Sequence, residues 1–133
     1  MLNNCCVTWK STKQKVVALS STESEYIALA TCSKEAIWLR SLLTEVGFKQ
    51  NETIIFNDNL SSHQIAKGGT SERSKHIDVR HHFIRDNVAN GSISIQYLKS
   101  EELPADFLTK NVNSIKHSKF NNFINLREDV ENI

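Results

Sequence analysis

Thr53-Ile54-Ile55-Phe56-Asn57-Asp58-Asn59 is a continuous apolar run that breaks abruptly into polar, acid-bearing residues. Strands of parallel sheets, buried on both faces, read as such runs rather than as an alternation. The run therefore predicts a buried strand with helices packed on its sheet. Its end is chemically notable, because in open α/β sheets ligands gather beyond the carboxyl ends of the strands.

Upstream of this strand lies a long helical pattern. Ser20, Ser21 and Thr22 are good N-caps, and Glu23 and Glu25 are spaced to complete capping boxes from Ser20 and Thr22. The helix is expected to run to about Val46 and stop at Gly47. Leu29, Cys32, Ala36, Leu39, Leu43 and Val46 recur at steps of three and four, forming one apolar stripe. Tyr26, Ile27, Ile37, Trp38 and Leu42 lie off it, which predicts a helix apolar over a wide arc and packed centrally. Before the helix, Cys5 to Trp9 and Lys15 to Leu19 have strand composition.

Downstream, a short helix is expected from about Leu60 to Ala66, ended by Gly68-Gly69. A polar loop, Thr70 to Lys75, follows. Ile77, Ile84 and Val88 mark another helix that ends at Asn90-Gly91. Ile93, Ile95 and Tyr97 alternate with Ser94 and Gln96, as in a half-buried strand. Pro104 suits the first turn of a helix carrying Ala105 to Leu108. Ile115, Phe120, Phe123 and Ile124 suggest a last amphipathic helix, and Glu128 to Ile133 an acidic, frayed end. Helices alternating with strands in this order predict an α/β layer, with helices on a mixed sheet.

The chain has 133 residues, enough for one domain, and its 39% hydrophobic and 23% charged residues are those of an ordinary globular protein. A net charge of +1 means that any attraction to nucleic acid must come from a local patch. Cys5, Cys6 and Cys32 are odd in number and irregularly spaced, which argues against a disulfide framework and for a reducing, intracellular setting. No apolar run approaches the roughly 20 residues of a membrane span, so no membrane partner is expected.

Three carboxylates invite attention. Asp58 stands where the buried strand runs out, although Asp is also a preferred N-cap for the helix expected at Leu60. Glu25 precedes Leu29 by one helical step and so projects from the same face, toward the sheet. An acid there costs free energy unless it is paired or binds a metal; its alternative role is the capping box from Thr22. Asp106 opens the helix after Pro104, where a negative charge is favourable in any case. These acids come from a helix, a strand end and a late helix, elements able to converge at one sheet edge. Oxygen ligands of this kind suit Mg2+ or Mn2+, and paired hard cations hydrolyse phosphodiesters without a nucleophilic side chain.

Lys67, Arg73, Lys75, His76 and Arg80, with His81, His82 and Arg85, outweigh Glu72 and Asp78 locally. The excess is small. It predicts either a solvated helix face or weak, salt-sensitive, sequence-independent contact with a phosphate backbone. His76 and His81 have finger-like spacing, but no Cys pair accompanies them, so zinc is not expected. Trp9 and Trp38 are expected in the core rather than as base-stacking platforms.

Several motifs together resemble a known family. Thr8-Trp9-Lys10-Ser11, Lys13-Gln14-Lys15 and Val17-Ala18-Leu19-Ser20-Ser21-Thr22-Glu23-Ser24-Glu25-Tyr26 resemble the ribonuclease H segment of copia-type retrotransposon Pol polyproteins. So do Lys34-Glu35-Ala36-Ile37-Trp38-Leu39-Arg40, Asn57-Asp58-Asn59, Ser74 to Arg85, and Leu103-Pro104-Ala105-Asp106-Phe107-Leu108-Thr109-Lys110, in that order. The resemblance implies a ribonuclease H-like domain over residues 1–110, followed by a helical tail over 111–133. It implies a mixed sheet flanked by helices and Mg2+-dependent (or Mn2+-dependent) cutting of the RNA strand of RNA–DNA hybrids during reverse transcription. The partners would be the hybrid and the rest of the polyprotein, reverse transcriptase included. The setting would be cytoplasmic, in a virus-like particle, or nuclear. By motif, Glu25, Asp58 and Asp106 map to three of the family's four catalytic carboxylates. The fourth, an Asp on an opening strand, would precede Thr8-Trp9. The expectation is therefore a sheet lacking its first strands, a metal site one ligand short, and a fragment inactive alone. A non-catalytic remnant, or a co-opted module binding nucleic acid or protein, is the alternative. The loop Lys99 to Glu102 offers no His of the kind some ribonucleases H use in product release.

Overall fold

The computed structural model describes residues 5–61 and 75–125. The chain forms two compact units, one of residues 14–99 and one of 1–13 with 100–133.

The larger unit contains α1 (Ser21–Glu45), β1 (Thr53–Asn57), α2 (Lys75–Ala89) and β2 (Ile93–Tyr97). It is α/β, as the alternation of patterns predicts. The two strands pair in parallel, with Thr53 opposite Ile93 and Asn57 opposite Tyr97. A parallel pair needs a crossover of a dozen or more residues, and α2 lies within that crossover. Ile55, Ile93 and Ile95 point to one face, where Tyr26, Leu29 and Ala30 of α1 and Ile84 of α2 join them in the core.

Three expectations need correcting. Thr53 to Phe56 is covered on one face only, because Ile54 and Phe56, which alternate with the buried Ile55, remain 47% exposed. The run is apolar on both sides, but among the described residues nothing covers the second side. The buried residues of α1 are Tyr26, Ile27, Leu29, Ala30 and Ser33, with Ala36 and Ile37 partly buried; Leu29 and Ala36 of the predicted stripe face the core, while Ser33 takes the place expected for Cys32. Cys32 and Val46 are exposed, and so are Trp38 and Leu42, so α1 is central only in its first half. Finally, Cys5 to Trp9 and Lys15 to Leu19 form no strand beyond a single bridge residue at Cys5. Strand propensity is expressed only against a partner edge, and neither segment joins the described sheet.

The helix boundaries follow sequence chemistry closely. Ser20 caps α1, its hydroxyl accepting from the Glu23 amide at 3.1 Å, while the Glu23 carboxylate accepts from the Leu19 amide at 2.7 Å. α1 ends before Gly47, whose φ of +92° is a left-handed conformation that favours glycine. The Arg40 guanidinium donates to the carbonyls of Asn51 and Gln50 and, at 2.8 Å, to the Thr53 hydroxyl. It ties the second half of α1 to the start of β1.

In the smaller unit a 3-10 helix (Pro104–Leu108) and α3 (Ser114–Phe123) pack together, with Phe107 stacked on Phe120 at 4.9 Å. Asn113 caps α3 by accepting from the Lys116 amide at 2.9 Å. Both helices were expected from the sequence; the first is a single tight turn. Leu60 and Ser61 are helical as predicted, and the rest of that short helix lies outside the described residues.

Candidate functional site

Two of the predicted carboxylates share the larger unit: Asp58 follows directly on the carboxyl end of β1, and Glu25 lies in the first turns of α1.

Local structure explains how each is held. β1 ends in an Asx turn: the Asn57 side chain, itself 8% exposed, accepts from the Asn59 amide at 2.8 Å. Asn57 also closes the sheet by accepting at its carbonyl from the Leu98 amide at 3.1 Å. A rigid turn thus presents Asp58 at the sheet's end, half-buried. Glu25 is half-buried at the border of the α1 stripe, about 100° of helical rotation from Tyr26. The N-cap of α1 is Ser20 with Glu23, not Thr22 with Glu25. That removes the capping-box role weighed for Glu25.

Asp106 belongs to the smaller unit, in the first turn of the 3-10 helix. Its carboxylate meets the Lys110 ammonium at 2.6 Å. The two are four residues apart, a spacing that predicts such a pair on a helix. Sequence reasoning missed the pairing, although the spacing was visible.

Oxygen donors of this kind fit a hard divalent cation. Among the described residues, no three His, Cys, Asp or Glu side chains form a group able to hold a metal ion.

Of the basic residues, Lys67 and Arg73 lie outside the described residues, and Lys75 and His76 belong to the first turn of α2. Arg80 is half-buried on that helix. His81 does not share its solvated face: it is 9% exposed and stacks on Tyr26, ring centroids 4.2 Å apart. The Tyr26 hydroxyl is buried with no hydrogen-bond partner among the described residues. Burial pushes its pKa up to about 12, with the nearby Arg85 opposing part of the rise. Tyr26 lay off the predicted stripe of α1, but His81 falls four residues after Ile77 and three before Ile84, a spacing that could have marked it as core-facing. Trp9 and Trp38, expected in the core, are 73% and 58% exposed.

Comparison with known proteins narrows the setting. The retrovirus-related Pol polyprotein from transposon TNT 1-94 of Nicotiana tabacum is 44% identical over 105 residues, 78% of this chain. The chain is similar to a segment of transposon Pol polyproteins. Those from transposons RE1 and RE2 of Arabidopsis thaliana are 37% and 36% identical over 88% and 86% of the chain. The chain spans 8% of the length of each of these curated relatives. No family model and no solved structure matches it. None of the helices among the described residues is long and apolar enough to cross a membrane.

Proposed function

We propose that this chain is the ribonuclease H-like part of a retrotransposon Pol polyprotein and serves to cut the RNA strand of RNA–DNA hybrids. The observation that carries the reading is the similarity of most of the chain to Pol polyproteins, and it is supported by Asp58 standing just beyond the carboxyl end of β1 with Glu25 on α1 of the same unit. Glu25 and Asp58 would hold Mg2+ or Mn2+ in the larger unit. When bound, such a cation activates water and steadies the departing oxygen of a phosphodiester. The chain's own residues supply the negative charge that recruits it and the rigid Asx turn that fixes Asp58. Arg80 and Lys75 of α2 would meet the hybrid's phosphates. The rest of the polyprotein, with its reverse transcriptase, would provide the remaining acid and the substrate.

A second reading, a non-catalytic module that binds nucleic acid or protein, is favoured by one observation: the absence of a three-donor group among the described residues. The deciding experiment is cleavage of a labelled RNA–DNA hybrid in Mg2+, Mn2+ or chelator. It is run on this chain, on a chain extended upstream along the polyprotein, and on the Asp58→Asn form of each. The nuclease reading expects metal-dependent cleavage by the extended chain, lost in Asp58→Asn, and feeble or no cleavage by the chain alone. An extended chain that cleaves equally well as Asp58→Asn, or not at all, would leave the binding module as the answer.

A further inference from the structure

The joint between α2 and β2 carries a reactive dipeptide outside the carboxylate site. Asn90 is the only asparagine of the chain followed by glycine. Both residues are exposed, just past the end of α2 at Ala89. Gly91 has a φ of +72°, the left-handed conformation that ends a helix, and open space lies where a Cβ would stand. The Ser92 amide donates to the Asn90 side-chain carbonyl at 2.9 Å and shares that proton with the Asn87 carbonyl at 3.0 Å. This Asx turn folds the Asn90 side chain back over its own link to Gly91.

The arrangement favours attack of the Gly91 nitrogen on Asn90 Cγ. Glycine has no side chain to block the five-membered ring that closes. The Ser92 amide sits where the side-chain carbonyl oxygen gains negative charge, as an oxyanion donor does. The Gly91 amide donates to the Val88 carbonyl at 3.1 Å, and this last-turn bond must open first, which fraying helix ends do readily. Asn57 is an internal comparison. It forms the same Asx turn, accepting from the Asn59 amide at 2.8 Å, but it is 8% exposed and is followed by Asp58, whose side chain crowds the ring.

We propose that Asn90 deamidates spontaneously in the folded chain and that the product loosens the joint between α2 and β2. The Gly91 nitrogen gives up its proton and bonds to Asn90 Cγ, and the Cγ–Nδ2 bond breaks, so that ammonia leaves with that proton. Water then opens the cyclic imide. Breaking the new Cγ–N bond gives aspartate; breaking the original backbone C–N bond gives isoaspartate, whose main chain is one carbon longer. Nothing is oxidised or reduced. Either product puts a carboxylate at the negative end of α2, which has no basic residue in its last turn, and four residues after Asp86. The isoaspartyl link also displaces Ser92, whose carbonyl accepts from the Thr53 amide at 3.1 Å where the sheet begins.

The test is incubation of the full chain at neutral pH, in buffer and in urea, followed by trypsin digestion and mass spectrometry. The peptide that carries Asn90, residues 86–99, also contains Asn87, so fragmentation assigns the change to one or the other. A gain of about 1 Da at Asn90 is expected in buffer, in roughly tenfold or greater excess over Asn87 and Asn57. Electron-transfer fragmentation separates isoaspartate from aspartate. Asn90→Gln, whose longer side chain closes only a slower six-membered ring, should show no gain. Asn90→Asp, one product made directly, should unfold at lower urea than Asn90→Gln, and circular dichroism checks that both fold. Reaction at Asn90 only in urea, or equal reaction at Asn87, would overturn the proposal. An Asn90→Asp chain as stable as Asn90→Gln would overturn the loosening of the joint. None of these results bears on whether Asp58→Asn abolishes hybrid cleavage.

Discussion

Replacing Tyr26 by Phe should leave the fold intact and make it less sensitive to alkali. Tyr26 is 2% exposed, stacks on His81, and buries a hydroxyl that has no hydrogen-bond partner among the described residues. An unsatisfied buried hydroxyl costs about 1–3 kcal/mol in desolvation. The ring itself contributes packing that Tyr26→Phe keeps in full. The substitution should therefore be neutral or stabilising by up to about 2 kcal/mol, whereas Tyr26→Ala should cost about 3–5 kcal/mol in lost packing. The sign with pH follows from which form folding disfavours. The phenolate is the charged form, and burial raises the folded-state pKa from 10.0 to about 12. The group's contribution is complete below pH 10 and is lost as pH rises from 10 toward 12. Urea unfolding at pH 8, 10 and 11 would show wild type losing more stability than Tyr26→Phe across that window, and absorbance at the tyrosinate band would follow the ionisation. Two results would refute the reasoning: a Tyr26→Phe protein destabilised by more than about 1 kcal/mol at pH 8, or one as alkali-sensitive as wild type.

Ile84 is fully buried among the sheet and α1. Ile84→Ala should cost about 2–5 kcal/mol in urea unfolding, and a smaller loss would mean that the core is looser than drawn. Arg40→Ala removes donors from two carbonyls and a hydroxyl; a loss of about 1–2 kcal/mol is expected, with faster amide exchange at Thr53 and Ile54, and unchanged exchange would show the tie to be idle.

How much of this could be read from sequence depends on what each signal reports. Caps and stops were legible because they are local: Ser20 with Glu23, Gly47 and Gly91 act within a few residues of themselves. The strand Ile93 to Tyr97 followed from alternation, which reports a half-buried strand directly, but its parallel pairing with β1 did not. Phase was harder. In α1 two apolar stripes were available, one through Cys32 and one through Tyr26, and propensity does not choose between them. The sheet chooses, because Ile55, Ile93 and Ile95 need large side chains facing them, and Tyr26 with Leu29 fills that space where Cys32 would not. The two early strand patterns failed for the complementary reason. β propensity describes what suits an edge, and it becomes a strand only where an edge is offered.

The same logic governs the candidate site. Asp58 was legible because a strand end is a place that chain order alone defines. Glu25 was placed by a facing argument through Leu29, which is indeed in the core, and Glu25 itself is half-buried at the border of that face. A residue at that border is half in water and half against the core. Tyr26, a further turn of about 100° around the helix, faces the core and takes the place against His81, so Glu25 stays partly in water, as the proposed cation ligand must.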